Sequence, residues 1–174
     1  NDTRDYHRYL GGSPTNVALN SARLGLKAAM VATVGNDGFG DYIFKRFLEV
    51  GVNTDNVKAL KHKPTSVIFV SRSKTTPDFI PFREADADIT EDQITTETLS
   101  KTNIFHTTCF ALSKNPAQTT IIKKAEEAFS LGCKLSMDVN YSGKLWSNKI
   151  EALNIIKAYC KFNPLIKISE DDMI

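Results

Sequence analysis

A glycine pair followed by a helix start is the stretch of this sequence best suited to binding a ligand. Gly11 and Gly12 precede residues 17–24, whose apolar spacing suits a helix packed on one face, and Gly25 ends that helix. Glycines let a backbone approach a ligand closely, and a helix start offers free N–H groups. Asn16 adds a side-chain donor and acceptor, which a polyhydroxy ligand requires. The alternative is a glycine turn with an ordinary helix cap.

Polar residues also follow several predicted strands, where α/β proteins bind ligands. Arg83 follows one strand and could grip a carboxylate or phosphate, or instead pair with Glu84 or Asp86. Asp138 and Asn140 would protrude at the carboxyl end of another strand, unless they form an Asx-turn.

The last residues of the chain offer a candidate cation site. Ser169 is placed as a helix N-cap, with acidic residues in the first turn after it. The alternative is that the acidic cluster ending at Asp172 holds a hydrated Mg²⁺ through water.

A glycine-rich turn at residues 35–40 follows a predicted strand and precedes a predicted helix. Its spacing is not that of a dinucleotide-binding loop, and it lacks the Lys-Ser/Thr of a phosphate-binding P-loop. We therefore expect a tight strand-to-helix turn in which Asp37 satisfies local N–H groups.

The elements that must position these residues alternate between strands and helices. The predicted strands are 29–34, 65–70, 79–82, 103–107, 134–138 and 165–168. The predicted helices are 16–24, 41–49, 116–131 and about 148–160. Helices between short apolar strands indicate βαβ units, hence an α/β fold with a mostly parallel sheet flanked by helices.

The stretch 56–83 breaks this alternation, because no helix lies between its strands. Residues 71–78 are polar and favour a turn, which predicts an antiparallel hairpin over 65–82 that stands off the main sheet. Pro81 cannot donate to a strand ladder, so its strand should lie at an edge.

Composition narrows the class of protein. The 174 residues are 41% hydrophobic and 24% charged with a net charge of +2, which is ordinary for a globular domain. Without a basic stripe, a signal segment or a long apolar run, we expect neither a nucleic acid nor a membrane as partner. Cys109, Cys133 and Cys160 are too scattered for a disulfide framework or a zinc site, and we expect core or inert thiols in a cytoplasmic protein.

Together these motifs resemble the PfkB/ribokinase family of carbohydrate kinases. Residues 11–25, 34–40 and 48–52 are similar to the first signature of that family almost position for position. The later similarities follow in the same order and include Thr65, residues 82–87, residues 138–146 and residues 167–172. The resemblance covers nearly the whole chain.

The resemblance implies a Rossmann-like ribokinase fold with a small β lid, whose strands would come from about 56–83. It also implies ATP and Mg²⁺ as cofactors, and transfer of the γ-phosphoryl group to a sugar hydroxyl. On matching positions, the implied substrate-binding residues are Gly11, Gly12, Asn16, Arg83 and Thr108. The residues implied on the nucleotide and phosphate side are Asp138, Asn140 and Lys167, with Asp172 toward the metal. The lid edge would allow a homodimer.

The chain also departs from the family. A Gly-Ala-Gly-Asp stretch, which in this family provides the base and an anion hole, is absent, so no catalytic residue is assigned here. The family's first strand is missing before Asn1, and we expect residues 1–174 to be a truncated domain, the amino-terminal part of a longer kinase.

The substrate class stays open at this point. Fructose and 2-keto-3-deoxygluconate are the favoured acceptors, but Ser142 stands where relatives acting on them often carry an arginine. The alternatives are a non-catalytic sugar-binding or sensing protein of the same fold, or a nucleoside kinase.

Overall fold

The computed structural model describes residues 5–71 and 78–173. The helices are α1 (Ser13–Arg23), α2 (Gly38–Val50), α3 (Thr96–Ser100), α4 (Ala117–Ser130) and α5 (Lys149–Cys160). The strands are β1 (Ala32–Gly35), β2 (Val57–Leu60), β3 (Val67–Ser71), β4 (Asp78–Phe82), β5 (Ile104–Thr108), β6 (Lys134–Asp138) and β7 (Leu165–Lys167). Short 3-10 helices cover Ala85–Ala87, Glu91–Gln93, Ala111–Ser113 and Glu170–Met173.

The strand pairing confirms the predicted α/β class. Strands β1 and β2 pair in parallel, and β5, β6 and β7 form a second parallel sheet in that order. Helix α2 connects β1 to β2, α4 connects β5 to β6, and α5 connects β6 to β7, as parallel pairing requires.

Each parallel sheet packs against its own apolar core. The first core joins α1 and α2 to β1, with Phe47 and Val52 almost fully buried. The second core lies between α4, α5 and the three-stranded sheet, and it includes Leu135, Met137 and Tyr159. Such burial supplies the main stabilisation of each sheet–helix layer.

Helix α1 starts earlier than the sequence predicted. It begins at Ser13 rather than Asn16, because Pro14 occupies the first helical turn, where its fixed φ is favourable. Gly12 is the N-cap with a φ of 104°, a conformation that favours glycine. Asn16 therefore lies within the helix, and its N–H donates to the Gly12 carbonyl at 2.9 Å.

Two strand predictions also need correction. The strand expected at 29–34 is Ala32–Gly35, and Ala29 forms only an isolated bridge with Asn53. The predicted lid segment began at about 56, but β2 (Val57–Leu60) pairs in parallel with β1 and so does not belong to the hairpin. The β2 segment escaped notice because only Val57 in it is buried, which leaves no clear alternation.

The predicted antiparallel hairpin is present. Strands β3 and β4 pair antiparallel, with Val67 opposite Phe82 and Ile68 opposite Pro81. They form a two-stranded sheet, so Pro81 lies in an edge strand as expected. Most of the turn predicted at 71–78 lies outside the described residues. Within the described ranges, no helix is long and apolar enough to cross a membrane.

Candidate functional site

The carboxyl ends of β5, β6 and β7 bring three predicted residues into one row. The strand register places Thr108 beside Asp138 and Asp138 beside Lys167. The chain separates these residues widely, yet parallel pairing aligns the ends of the strands at one edge of the sheet. This edge is where open α/β sheets bind ligands.

Asp138 is the centre of this row. Its carboxylate accepts a hydrogen bond from the Ser13 hydroxyl at the start of α1, and the Lys167 ammonium lies 3.0 Å from its Oδ1 atom. The side chain of Asp138 is mostly buried, whereas that of Lys167 is exposed. This close contact with the Asp138 carboxylate raises the pKa of Lys167, because a nearby anion favours the charged ammonium.

Asp172 closes the site from the carboxyl-terminal side. Its Oδ1 accepts from the Tyr141 N–H at 2.8 Å, and its Oδ2 accepts from the N–H and hydroxyl of Ser169 at 2.8 and 2.6 Å. Burial raises the pKa of this carboxyl, but the bonds from Ser169 and Tyr141 outweigh it, so the pKa is lowered. The predicted cap is thus altered: the Ser169 hydroxyl donates to the Asp172 carboxylate, and the Asp172 N–H donates to the Ser169 carbonyl.

Asn140 presents an unmatched acceptor beside these carboxylates. Its Oδ1 atom is buried and has no hydrogen-bond partner among the described residues. A buried acceptor without a donor is costly and is uncommon in folded proteins. Asn140 does not form the Asx-turn that was the alternative for this position, and its oxygen is available to a donor on a ligand.

The glycine pair lies at the open amino end of α1. Gly11 has open space where a side chain would stand, and a Cβ at Gly12 would make only ordinary contact with Thr15. The Asn16 side chain is exposed and has no hydrogen-bond partner within the described residues. The hydrogen bond from Ser13 to Asp138 therefore joins the predicted sugar side of the site to its phosphate side.

Arg83 and Thr108 are held by the protein itself. The Arg83 Nε and Nη2 atoms donate to Asp86 Oδ2 at 2.8 and 2.6 Å, which is the ion pair that the sequence offered as an alternative. Thr108 is fully buried, and its hydroxyl accepts from the Ala111 N–H at 3.2 Å. Both side chains are thus partnered within the protein, and their assignment to the substrate pocket stays a prediction.

The glycine-rich turn is structural, as predicted. Asp37 accepts from the N–H groups of Phe39 and Gly40 at 3.0 and 2.9 Å, and from the N–H and hydroxyl of Thr65 at 2.8 Å each. Residues 38–41 also have a Gly-x-Gly-Asp spacing at a helix start. Because the N–H groups of Phe39 and Gly40 already donate to Asp37, they do not form an anion hole at this helix start.

The described residues do not form a metal site built by the protein. Within 5–71 and 78–173, no group of three or more His, Cys, Asp or Glu side chains is placed to hold an ion. Both oxygens of Asp172 already accept hydrogen bonds from the chain. The assignment of Asp172 to the metal side therefore stays a prediction.

Sequence reasoning missed Ser13 and a group of cations. Ser13 carried no signal beyond its place next to a glycine pair, and its partner Asp138 is 125 residues away. Lys114 and Lys144 line a pocket with Arg83, although neither follows a strand directly. Both lysines lie in loops, where only the tertiary fold shows which residues meet.

Fold and geometry together define an α/β protein whose candidate ligand site lies where parallel strands end beside the start of α1. A model described as pfkB family carbohydrate kinase matches residues 1–171. The chain belongs to this family.

Known proteins similar to this chain are sugar kinases. It is 32% identical over 167 residues to an ATP-dependent 6-phosphofructokinase of Thermoanaerobacterium thermosaccharolyticum, covering 96% of this chain and 52% of that protein. It is 33% identical over 150 residues to a fructokinase of Solanum tuberosum, covering 84% of this chain and 47% of that protein. The chain thus spans about half the length of the curated relatives it matches.

Solved structures confirm the fold. An uncharacterized sugar kinase from Pyrococcus horikoshii matches with a TM-score of 0.92 at 26% identity, over 99% of this chain and 57% of that one. A structure of the same protein in complex with ATP also gives a TM-score of 0.92. A fructokinase of Halothermothrix orenii matches at 0.90 with 33% identity, over 98% of this chain and 61% of that one.

Proposed function

We propose that the protein containing this chain is an ATP-dependent sugar kinase, which transfers the γ-phosphoryl group to a hydroxyl of a monosaccharide or sugar acid. The observation that carries the proposal is the junction of Ser13 with Asp138, in a chain of the pfkB family. This bond holds the glycine pair of α1 beside the strand ends. Phosphoryl transfer needs mainly such positioning and charge stabilisation from a protein.

The residues divide between two tasks. Gly11, Gly12 and Asn16 bind the sugar hydroxyls, since the glycines leave open space and Asn16 offers both a donor and an acceptor. Thr108 and Arg83 form the wall of the substrate pocket. The residues that face the phosphates and the metal-bound nucleotide are Asn140, Asp172 and the ion pair of Asp138 with Lys167.

Lys167 has the clearest electrostatic role in this arrangement. Its ammonium is charged at neutral pH, as for any lysine, and it lies next to strand ends where negative phosphoryl charge would develop. When bound, ATP supplies the phosphoryl group and Mg²⁺ supplies a positive charge that balances it. The favoured acceptors of the phosphoryl group are fructose and 2-keto-3-deoxygluconate.

The test is an ATP-coupled assay of the full-length protein with fructose, 2-keto-3-deoxygluconate, ribose and adenosine. Replacing Asn16 by alanine removes a partner of a buried hydroxyl, worth about 1–3 kcal/mol, so KM for the sugar should rise roughly 5- to 150-fold. The matched control is Asn20→Ala, one turn further along α1, where the side chain accepts a hydrogen bond from Arg23. Turnover of adenosine alone would refute the sugar assignment, and an unchanged KM would remove Asn16 from the site.

We also propose a homodimer through the β3–β4 hairpin and a cytoplasmic location. The hairpin carries exposed apolar side chains on both faces, and a lone two-stranded sheet needs further packing to be stable. The cysteines are free thiols, with Cys109 and Cys133 buried and Cys160 half-buried, which fits a reducing compartment.

A further inference from the structure

A polar pair lies in the three-stranded sheet, one step before the row of strand ends. In the register of β5 and β6, His106 stands beside Ser136, and the next pair on the same face is Thr108 with Asp138. The Nδ1 atom of His106 lies 2.8 Å from the Ser136 hydroxyl oxygen, which is hydrogen-bond distance. The imidazole is thus the nearest neighbour, along β5 and on the same face, of the strand end at Thr108.

This pair departs from the usual composition of a parallel sheet. Parallel strands are normally apolar on both faces, and on the opposite face of this sheet Phe105, Leu135 and Met137 pack into the second core. The Nε2 atom of His106 is buried and has no hydrogen-bond partner among the described residues. Burial of a polar atom without a partner is costly, so an apolar side chain would suit this position better. Such departures from local rules are expected at functional sites.

Asp138 is the charged group whose field acts on His106. Burial lowers the pKa of His106 below its ordinary value of 6.5, and the negative charge of Asp138 opposes this effect by raising the pKa. The other charged residues on this face of the sheet are Lys134 and Lys167. Helix α1, which also contacts β5, has Arg23 as its one charged residue, and the 3-10 helix after β5 has none. The imidazole is therefore neutral at neutral pH, and Asp138 is the carboxylate that attracts its protonated form.

We infer that His106 is a positioning residue of the candidate site, which together with Ser136 fixes the carboxylate of Asp138. The inference rests on the proposed kinase function and adds a pH-dependent residue to it. While the imidazole is neutral, Asp138 accepts from Ser13 and pairs with Lys167. Protonation gives His106 a positive charge, which competes with these two groups for the Asp138 carboxylate. The site should therefore lose its geometry as the pH falls.

The first experiment measures kcat and KM for the sugar in the full-length protein between pH 5.5 and 8.5. His106→Leu loses the bond to Ser136, so kcat should fall about tenfold while KM changes by less than about threefold. His106→Asn keeps a polar group near the position of Nδ1, so kcat at pH 8 should lie within about threefold of the value for the unmodified protein. The second variant keeps the inference testable if His106→Leu does not fold.

The pH profile distinguishes a positioning role from a merely structural one. Asparagine does not titrate, so the ratio of kcat in the unmodified protein to kcat in His106→Asn should decrease about threefold between pH 7 and 5.5. For the matched control His62→Asn, an exposed histidine between β2 and β3, the same ratio should stay constant. Equal kcat in the unmodified protein and a folded His106→Leu, or a constant ratio for His106→Asn, would overturn the inference.

The second experiment separates this inference from the proposed function. The pKa of His106 is measured by NMR in the full-length protein, and its signal is assigned by its absence in His106→Asn. Asp138→Asn removes the attracting charge, so the pKa of His106 should fall further. Such a fall in a protein that phosphorylates no sugar supports the link between His106 and Asp138 and refutes only the kinase proposal. An unchanged pKa overturns the inference, whether or not a sugar is phosphorylated.

Discussion

At the scale of single residues, Asp37 is the carboxylate that holds the glycine-rich turn together through its hydrogen bonds. Its two oxygens accept four hydrogen bonds, which tie the start of α2 to Thr65 just before the hairpin. Burial raises the pKa of this carboxyl, but the bonds from Thr65, Gly40 and Phe39 together outweigh it, so the pKa falls below its ordinary value of 3.8.

Replacing Asp37 by alanine should lower the free energy of unfolding by about 2 kcal/mol, because the helix cap and the bonds to Thr65 are lost together. The lowered pKa means that Asp37 stabilises the fold above pH 3.8 and loses this effect as the pH falls through the folded-state value. Urea unfolding between pH 3 and 7 measures both effects.

The control for this variant is Asp41→Ala, in the first turn of the same helix. This variant removes the same charge as Asp37→Ala, but the Asp41 side chain makes no hydrogen bond within the described residues. The free energy of unfolding should therefore fall by less than about 1 kcal/mol. An equal loss of unfolding free energy in the two variants would contradict the assigned role of Asp37. So would an unfolding free energy of Asp37→Ala that falls with decreasing pH as steeply as that of the unmodified protein.

At the scale of elements, the contact between β1 and α2 depends on the absence of a side chain at Gly40. A Cβ there would overlap the Gly35 carbonyl oxygen and crowd the Thr65 hydroxyl. The strand therefore meets the helix backbone to backbone, and this contact fixes where β1 ends.

Gly40→Ala should accordingly lower the free energy of unfolding by about 1–3 kcal/mol, because the strand and helix must separate to admit the methyl group. Gly38→Ala is the matched control, since a Cβ at Gly38 has nothing within 4 Å. That variant should be neutral or more stable by up to about 1 kcal/mol, as alanine favours helices. Thermal unfolding of both proteins checks the pair, and similar melting temperatures would contradict the close contact.

At the scale of the whole molecule, the hairpin has two different faces. Phe79 and Pro81 lie on the face that meets Lys144, and this face also carries Ile68 and Val70, which are 40% and 58% exposed. The opposite face carries Phe69, Ile80 and Phe82, which are 43%, 55% and 57% exposed. Tyr6 packs edge-on against Phe69 and extends this apolar surface. A second copy of the protein would cover it.

Sedimentation of the full-length protein tests the proposed dimer. The unmodified protein and the control Leu48→Lys, at an exposed leucine of α2, should both sediment as dimers. Phe69→Lys should sediment as a monomer, because a charge at the centre of the apolar face would be buried without a partner. A monomeric unmodified protein would refute the dimer.

The local parts of this protein can be predicted from its residues alone. The order of strands and helices, the hairpin and the role of Asp37 all followed from residue spacing, because helices, strands and turns depend on neighbours within a few positions. The main exceptions, the early start at Ser13 and the strand β2, lie where a cap or a distant partner decides the outcome.

How these parts form a site depends on long-range packing. The bond from Ser13 to Asp138, the row of Thr108, Asp138 and Lys167, and the meeting of Lys114 with Arg83 join residues that are far apart in the chain. Their contacts depend on strand register and helix packing, which act over long range and leave no local spacing to read.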